Sequence, residues 1–312
     1  MTAQLRKPRA LRAGDSIAVV APASPFDRDE FDAGIGELQS LGFRPVWRED
    51  LFDRRGYVAG EARVRAAALI AAWQDPAISG IVAVRGGYGS VQVLPHLPAA
   101  AFREHAKVLV GYSDLTALLT WIVGQTGLVA FHGPTVAGRL GEGTAAYDRT
   151  SFLAAVCTAA PMGDVPLDKS EVETLVAGDA RGRLLGGTLT QLAAAAGTPY
   201  ALDPWDDTIL LIEDVAERPY RIDRLVHQLR LAGMFTRVRG IVCGTFPQCD
   251  EPDGGPSARA VLADLFSEFP GPVIFGVPRI AIGPVTSGRS VLLIPVNVAL
   301  LTMMFTGLPL CD

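Results

Sequence analysis

The first half of the chain alternates between two patterns of apolar and polar residues. Short apolar runs rich in β-branched residues are typical of buried parallel strands. Between these runs, apolar residues recur at helical spacing; one such helix closes on Gly42 and another is stopped by Pro76. The predicted strands are SIAVVAPAS, RPVWRE, GIVAVRG, AKVLVGYS and LVAFHGP. Five strands separated by helices predict an α/β domain with an open, doubly wound parallel sheet.

The second half has a different pattern. The periodicity loosens between about residues 140 and 182, and more strands than helices follow. The predicted strands are TILLIEDV, VRGIVCGTF, PVIFGV and SVLLIPVNVALLTMMF, and the predicted helices are LTQLAAAAG and YRIDRLVHQLRLAG. This order favours a smaller, β-rich α+β domain with a mixed sheet or partial barrel. We therefore predict an N-terminal domain over 1–155, a linker over 156–182 and a C-terminal domain over 183–312.

Composition narrows the class of protein. A chain of 312 residues, 49% hydrophobic and 20% charged, can form two domains with buried cores. The net charge of −5 is spread without a basic stripe, which argues against nucleic acid as a partner. The four cysteines are widely spaced, so neither a zinc site nor a disulfide framework is expected. Without a signal-peptide pattern or an apolar run of about 20 residues, we expect a soluble cytoplasmic protein with no membrane contact.

Two tight turns follow predicted strands, at the sheet edge where ligands bind in open α/β folds. The first is RGGYGS, residues 85–90. Its glycines permit positive φ and let backbone N–H groups approach a ligand closely. The spacing matches neither a phosphate loop nor GxGxxG, so no nucleotide cofactor is indicated. The pattern predicts an anion- or oxyanion-binding turn, with an ordinary tight βα loop as the alternative.

The second turn lies in VGYSDLTALL, where Ser113 separates an apolar run from a helical pattern. Gly111 stands two residues before the serine, as in the GxSxG elbow that presents a nucleophile, but Leu115 stands two residues after it. A serine before a helix is also a good N-cap. The turn by itself leaves nucleophile and helix cap equally open.

A nucleophilic serine needs a base, and the base usually needs an orienting carboxylate. Glu213 ends an apolar strand and is the best candidate carboxylate. His132 ends a strand near the same edge as Ser113, and we interpret it as a polar core or pocket residue. His96 and His105 are expected at the surface, and His227 beside the site or in solvent. None of the four is marked by its context as a base.

Several longer motifs together resemble the LD-carboxypeptidase family of serine peptidases, which includes muramoyl-tetrapeptide carboxypeptidases and microcin C self-immunity hydrolases. The resemblance extends in order from about Ser16 to Phe246. The motifs are VAVRGGYGS, LVGYSDLTALL, FHGPTV, GRLLGGTL, LLIEDVAERPYRIDRLVHQLRLAG and VRGIVCGTF. The resemblance implies a Rossmann-like N-terminal domain, a smaller β-rich C-terminal domain and a homodimer.

The resemblance also implies roles for individual residues. The family's triad is Ser-Glu-His in chain order; Ser113 matches the nucleophile and Glu213 the carboxylate. Backbone N–H groups at Gly87 and Asp114 match the oxyanion hole. Residues flanking this site are expected to contact a small peptide-like substrate, although Arg85 could instead pair with an acid. These residues are Arg85, Gly86, Tyr88 and His132.

The histidine of the triad has no match. The family carries it in a Gly-His step, which falls here on Ile280 and Ala281. The segment that follows is longer than in the family, and Asn297 stands where the resemblance implies glycine. The sequence has no histidine after His227, so a shift of the alignment cannot supply one.

A serine hydroxyl without a base is a weak nucleophile, and loss of a triad member costs several powers of ten in rate. Three explanations stay open: an engineered His-to-Ala trap, a natural homologue that binds ligands or performs non-hydrolytic biosynthesis, and a substitute base such as His132. The added residues favour natural divergence. We predict a serine hydrolase that acts on an amide or acyl bond of an L,D-peptide or a natural-product intermediate, with no metal or cofactor.

Overall fold

The computed structural model describes residues 5–158 and 172–277, together with the backbone of two later strands. The described residues form two compact units. The first contains 5–158 and the strand Ile294–Val296, and the second contains 172–277 and the strand Leu300–Phe305.

The strands and helices are labelled in chain order. The strands are β1 (Ser16–Val20), β2 (Arg44–Val46), β3 (Ile78–Ala83), β4 (Val108–Gly111), β5 (Ala130–His132), β6 (Glu173–Val176), β7 (Gly178–Thr188), β8 (Thr208–Glu213), β9 (Val238–Gly244), β10 (Val273–Val277), β11 (Ile294–Val296) and β12 (Leu300–Phe305). The helices are α1 (Arg28–Ser40), α2 (Ala62–Gln74), α3 (Ala100–Arg103), α4 (Thr116–Thr126), α5 (Arg149–Cys157), α6 (Leu189–Ala195), α7 (Pro219–Leu231) and α8 (Ala258–Leu265).

The first unit is built on a sheet with the strand order β11-β5-β4-β3-β1-β2. Strands β1 to β5 are parallel, and β11 adds to β5 in the antiparallel direction. The predicted doubly wound α/β sheet is thus confirmed. Helix α1 begins where the Asp27 side chain accepts the N–H groups of Asp29 and Glu30, and ends before Gly42 at φ +89°.

The segment SVQVLPHL, residues 90–97, forms only two short 3₁₀ turns, Ser90–Gln92 and Leu94–His96. Pro95 lies within the second turn, where its ring and missing N–H prevent a longer α-helix. The carboxyl ends of β1, β3, β4 and β5 lead into the loops that carry the candidate residues.

The second unit is built on a mixed sheet with the order β12-β7-β8-β9-β10-β6. Strands β7 to β10 are parallel, and β12 and β6 are antiparallel to their neighbours. A mixed sheet was one of the two predicted forms. Strand β7 requires glycine at two positions. An added Cβ at Gly182 would lie 2.1 Å from the backbone oxygen of Asp207, and one at Gly186 would lie 2.0 Å from that of Leu211.

Strand β6 and the start of β7 lie within 156–182, the range predicted as a linker. Arginine and glycine dominate the start of β7 and hide its strand pattern. The run SVLLIPVNVALLTMMF, predicted as one strand, contributes β11 to the first unit and β12 to the second. Its 16 residues exceed the usual strand length of about 5–6. The exact domain boundaries stay a prediction. Within the described ranges, no helix has the length and apolar character needed to cross a membrane.

Candidate active site

Ser113 lies on a strained strand-to-helix turn. Strand β4 ends at Gly111, Ser113 opens a 3₁₀ turn, and α4 follows. Ser113 has φ +62°, a left-handed conformation that costs a non-glycine residue about 1–3 kcal/mol and clusters at functional sites. The N-cap of α4 is Leu115, which makes no side-chain cap bond, and that of the 3₁₀ turn is Tyr112. The geometry is that of a nucleophile elbow rather than a serine cap.

The incomplete GxSxG signature has a packing explanation. A Cβ at Gly111 would lie 2.8 Å from Cγ of Leu115. Leu115 therefore packs over Gly111, so the glycine before Ser113 is needed although the glycine after it is replaced. The first and last positions of the signature, Gly111 and Leu115, are thus in direct contact in this turn.

The glycine turn of residues 85–90 lies directly against the elbow. A Cβ at Gly86 would stand 3.0 Å from Cβ and 3.3 Å from Oγ of Ser113. Gly87 has φ +90°, which favours glycine, and its N–H donates to no acceptor among the described residues. The structure thus places Gly86 against Ser113, and Gly87 is the next residue in the chain.

Ser24, in the loop after β1, holds the glycine turn in place. Its N–H donates to Gly86 O at 3.2 Å, and its Oγ accepts the Tyr88 N–H at 3.0 Å. The same hydroxyl donates to Tyr57 O at 3.0 Å. Sequence reasoning missed this residue. Its only signal was a small polar side chain just after β1, at the same edge of the sheet.

Arg85 and Tyr88 flank the turn at the surface. The Arg85 side chain is 46% exposed, and Nη1 lies 3.7 Å from Oε2 of Glu30, so the acid partner considered as an alternative exists. Tyr88 is 45% exposed, and its ring lies 5.5 Å from that of Tyr57. Both side chains remain open to a ligand on their solvent sides.

Asp114, the residue after Ser113, is 1% exposed. Its Oδ2 accepts the Ser90 N–H at 2.7 Å, and the Ser90 hydroxyl donates to the Asp114 backbone oxygen. Burial raises the pKa of this carboxyl, an effect that the Ser90 hydrogen bonds and the Arg65 charge oppose. The last residue of the glycine turn thus donates two hydrogen bonds to the elbow.

His132 ends β5, in register with Gly111 of β4. The imidazole is buried, and its Nδ1 has no hydrogen-bond partner in the described part of the chain. Burial lowers the pKa of His132 to about 4, so the ring is neutral near pH 7. Its ring centroid lies 6.3 Å from that of Tyr112. These facts agree with a pocket or core residue and make His132 a weak base.

Glu213 lies in the second unit, at the carboxyl end of β8. It is buried, and its Oε1 accepts a hydrogen bond from the Thr188 hydroxyl at the end of neighbouring β7. A Cβ at Gly244 of β9 would lie 2.8 Å from Cβ of Glu213. The next residue, Asp214, accepts the Thr190 N–H and hydroxyl at 2.9 and 2.7 Å. The Glu213 carboxyl is therefore oriented by adjacent strands.

The remaining histidines are at or near the surface. His227 is half exposed, with Nδ1 3.1 Å from Oδ1 of Asp223; His105 is exposed and His96 is partly buried. Ala281, the position expected to hold histidine, lies outside the described residues, as do Ile280 and Asn297. Within 5–158 and 172–277, no group of three or more His, Cys, Asp or Glu side chains could hold a metal ion.

Comparison with known proteins agrees with the fold and the motifs. Residues 17–133 match the LD-carboxypeptidase N-terminal domain, and residues 181–284 match the LD-carboxypeptidase C-terminal domain. A "Probable murein peptide carboxypeptidase" of Bacillus subtilis is 35% identical over 78% of this chain and 76% of its own length. The "Murein tetrapeptide carboxypeptidase" of Pseudomonas aeruginosa is 30% identical over 84% and 86%.

A solved structure of "Microcin C7 self immunity protein MccF", in complex with aspartyl sulfamoyl adenosine, superposes with a TM-score of 0.81. The two chains are 25% identical, and the match covers 93% of each. Two domain matches in the expected order, with relatives aligned over most of their length, leave one assignment: the chain belongs to the LD-carboxypeptidase family.

Proposed function

We propose that the protein is a serine hydrolase that attacks an amide or acyl bond of a peptide-like substrate through Ser113. The observation that carries this proposal is the positive φ of Ser113 at the end of β4, with the Gly86 backbone beside its hydroxyl. Strain of this kind persists only where the surrounding structure imposes it. The Gly87 and Asp114 N–H groups would receive the oxyanion, and Glu213 would orient the base.

The substrate class follows from the family and from named relatives. One is called a murein tetrapeptide carboxypeptidase, and another was solved with an aspartyl sulfamoyl nucleoside. An L,D-peptide such as a murein tetrapeptide is therefore our first candidate, and a natural-product intermediate with an aminoacyl group is the second. A homodimer belongs to the same proposal, on the resemblance alone.

A second candidate function follows from Ala281. Without a histidine at this position, the pocket would bind its ligand with little or no turnover, or serve a reaction that needs no such base. The neutral, buried His132 is a poor replacement because its pKa is about 4. A diverged binding protein and a slow hydrolase are thus the two outcomes to separate.

The deciding experiment is incubation with a fluorophosphonate and, separately, with an L,D-tetrapeptide, followed by intact-mass spectrometry and product analysis. Ser113→Ala is the matched control. Labelling at Ser113 together with release of the terminal D-residue supports the hydrolase. Absence of both, with the tetrapeptide still bound in calorimetry, supports the binding protein.

Replacement of Ala281 by histidine tests the missing base. We expect Ala281→His to raise peptide turnover by at least about 100-fold, since triad members contribute several powers of ten. Turnover is measured as release of the D-residue, with Ser113→Ala/Ala281→His as the control. If Ala281→His gains nothing, then loss of the base is not the whole difference from the family.

A further inference from the structure

Ser90 donates two hydrogen bonds to Asp114, and these bonds join two loops. The Ser90 N–H donates to Asp114 Oδ2 at 2.7 Å, and the Ser90 hydroxyl donates to the Asp114 backbone oxygen. Both residues are at most 1% exposed. Buried hydrogen bonds to a charged group are stronger than neutral bonds at the surface. The pair therefore fixes the distance between the glycine turn and the elbow.

Arg65 of α2 holds the glycine turn from the other side. This buried guanidinium donates to the carbonyl oxygens of Gly60 at 3.1 Å and Gly89 at 2.8 Å, and to Pro22 O. It also donates to Oε1 of Gln92 at 2.6 Å. Gly89 therefore cannot shift without breaking a buried, charge-assisted bond. Sequence reasoning did not single out Arg65 or Ser90.

The two N–H groups expected in the oxyanion hole belong to Gly87 and Asp114. These residues lie on the two loops that the hydrogen bonds between Ser90 and Asp114 join. An oxyanion is stabilised only if its donors are already placed about 2.7–3.1 Å from the position it will occupy. A change of a few tenths of an ångström between the loops would move one donor away from the oxygen. The two bonds from Ser90 to Asp114 join these loops directly.

We propose that the Asp114 side chain, acting through Ser90, is a positioning residue that sets the spacing of the Gly87 and Asp114 N–H groups. The proposal rests on the proposed function, in which Ser113 is an acyl nucleophile. Asp114 does not itself touch the reacting atoms through its carboxyl group. Its Oδ1 has no hydrogen-bond partner among the described residues, so one oxygen alone makes the contact to Ser90.

Because only one carboxyl oxygen of Asp114 bonds to Ser90, two substitutions separate the effect of that bond from the effect of the charge. Asp114→Asn can keep an acceptor toward Ser90 and place its NH₂ where Oδ1 stands, whereas Asp114→Ala removes the acceptor. In the Ala281→His background, we expect Asp114→Ala to lower kcat for the L,D-tetrapeptide by about 10- to 100-fold, with KM changed less than about threefold. Asp114→Asn should recover most of that loss. A lower folded fraction would also reduce apparent kcat without changing KM, so kcat is referred to the concentration of folded protein measured by circular dichroism. A purely structural role would leave this corrected kcat equal to that of the parent.

Amide hydrogen exchange makes the test independent of activity. The Ser90 amide should exchange at least about tenfold faster in Asp114→Ala than in the wild type, with Asp114→Asn near the wild type. If Asp114→Ala does not fold, Ser90→Ala serves instead. It keeps the N–H bond and loses the hydroxyl bond, so the exchange of the Tyr88 amide, which donates to Ser24 Oγ in the same turn, is followed. If the wild type and Ala281→His are both inactive but the exchange pattern is as expected, the proposed hydrolase function is refuted. The role of the Ser90–Asp114 bonds in holding the two loops together is then kept. Unchanged exchange, or a kcat in Asp114→Ala equal to that of its parent, would overturn the inference.

Discussion

At the scale of single residues, Ser113 combines backbone strain with an uncapped helix start. Glycine at position 113 should remove the backbone strain at φ +62°, whereas alanine should leave it in place. We therefore expect Ser113→Gly to be more stable than Ser113→Ala by about 1 kcal/mol, measured as the free energy of unfolding in urea. Both variants should lose fluorophosphonate labelling. Equal stability of the two would mean that the protein does not impose the left-handed conformation at this residue.

His132 gives a prediction about pH. Its pKa is about 4 in the folded protein, against about 6.5 in the unfolded chain, so protons bind the unfolded chain first. The neutral, buried ring therefore contributes to the free energy of unfolding above pH 6.5, and this contribution is lost as the pH falls toward 4. Between pH 7.5 and pH 5 it amounts to about 2 kcal/mol.

His132→Gln should therefore lose about 2 kcal/mol less stability than the wild type over that range, in urea unfolding followed by tryptophan fluorescence at both pH values. His227→Gln, on an exposed helix position, is the matched control and should behave like the wild type. Parallel pH curves for the wild type and His132→Gln would show that the buried ring titrates normally.

At the scale of elements, the glycine turn and the elbow are two loops shaped by each other. A Cβ at Gly87 would lie 2.5 Å from Oγ of Ser24, and φ there is +90°. Gly87→Ala should displace the turn and slow labelling of Ser113 by about tenfold or more. Gly124→Ala is the control, because an added Cβ on that exposed position of α4 meets nothing within 4 Å. Equal labelling rates in the two variants would exclude a role of the turn at Ser113.

The elements also show how far sequence reasoning reaches. Strands β1 to β5 were predictable because apolar runs and helical spacing report burial directly. Ser113, Gly87 and Glu213 were singled out as candidates because they lie at strand ends and match the family's motifs, and their roles stay predictions. Ser24 and Arg65 were not singled out. The hydrogen bonds of Ser24 to Tyr57 and Tyr88 span 33 and 64 residues of the chain. Those of Arg65 to Gly89 and Pro22 span 24 and 43 residues. A contact across loops leaves no trace in the pattern around either residue.

At the scale of the whole molecule, each of the two sheets receives one edge strand from the last part of the chain. Strand β11 pairs with β5, and β12 pairs with β7. A chain that ends at residue 298 lacks β12 only, and a chain that ends at residue 293 lacks both strands. We expect the first truncation to speed amide exchange in β7 and spare β5, and the second to speed exchange in both. Loss of protection in β5 after the shorter deletion would contradict the separate assignment of the strands.

The family assignment and the proposed chemistry also belong to this scale, because Ser113 and Glu213 come from different units. Each unit prepares its own residue locally: the first through the strained elbow and the glycine turn, the second through Thr188 and Gly244 around Glu213. The proposed chemistry thus needs one residue from each unit.

The pairing of β11 with β5 has a consequence for synthesis on the ribosome. About 160 residues separate β5 from β11, and the parallel strands of the second unit are all translated between them. At about 5–20 residues per second, the β5 edge is exposed for about 10 to 30 s before its partner leaves the exit tunnel. During that interval, an unpaired strand edge can join another nascent chain. The first unit to be translated is thus among the last parts of the protein to be completed.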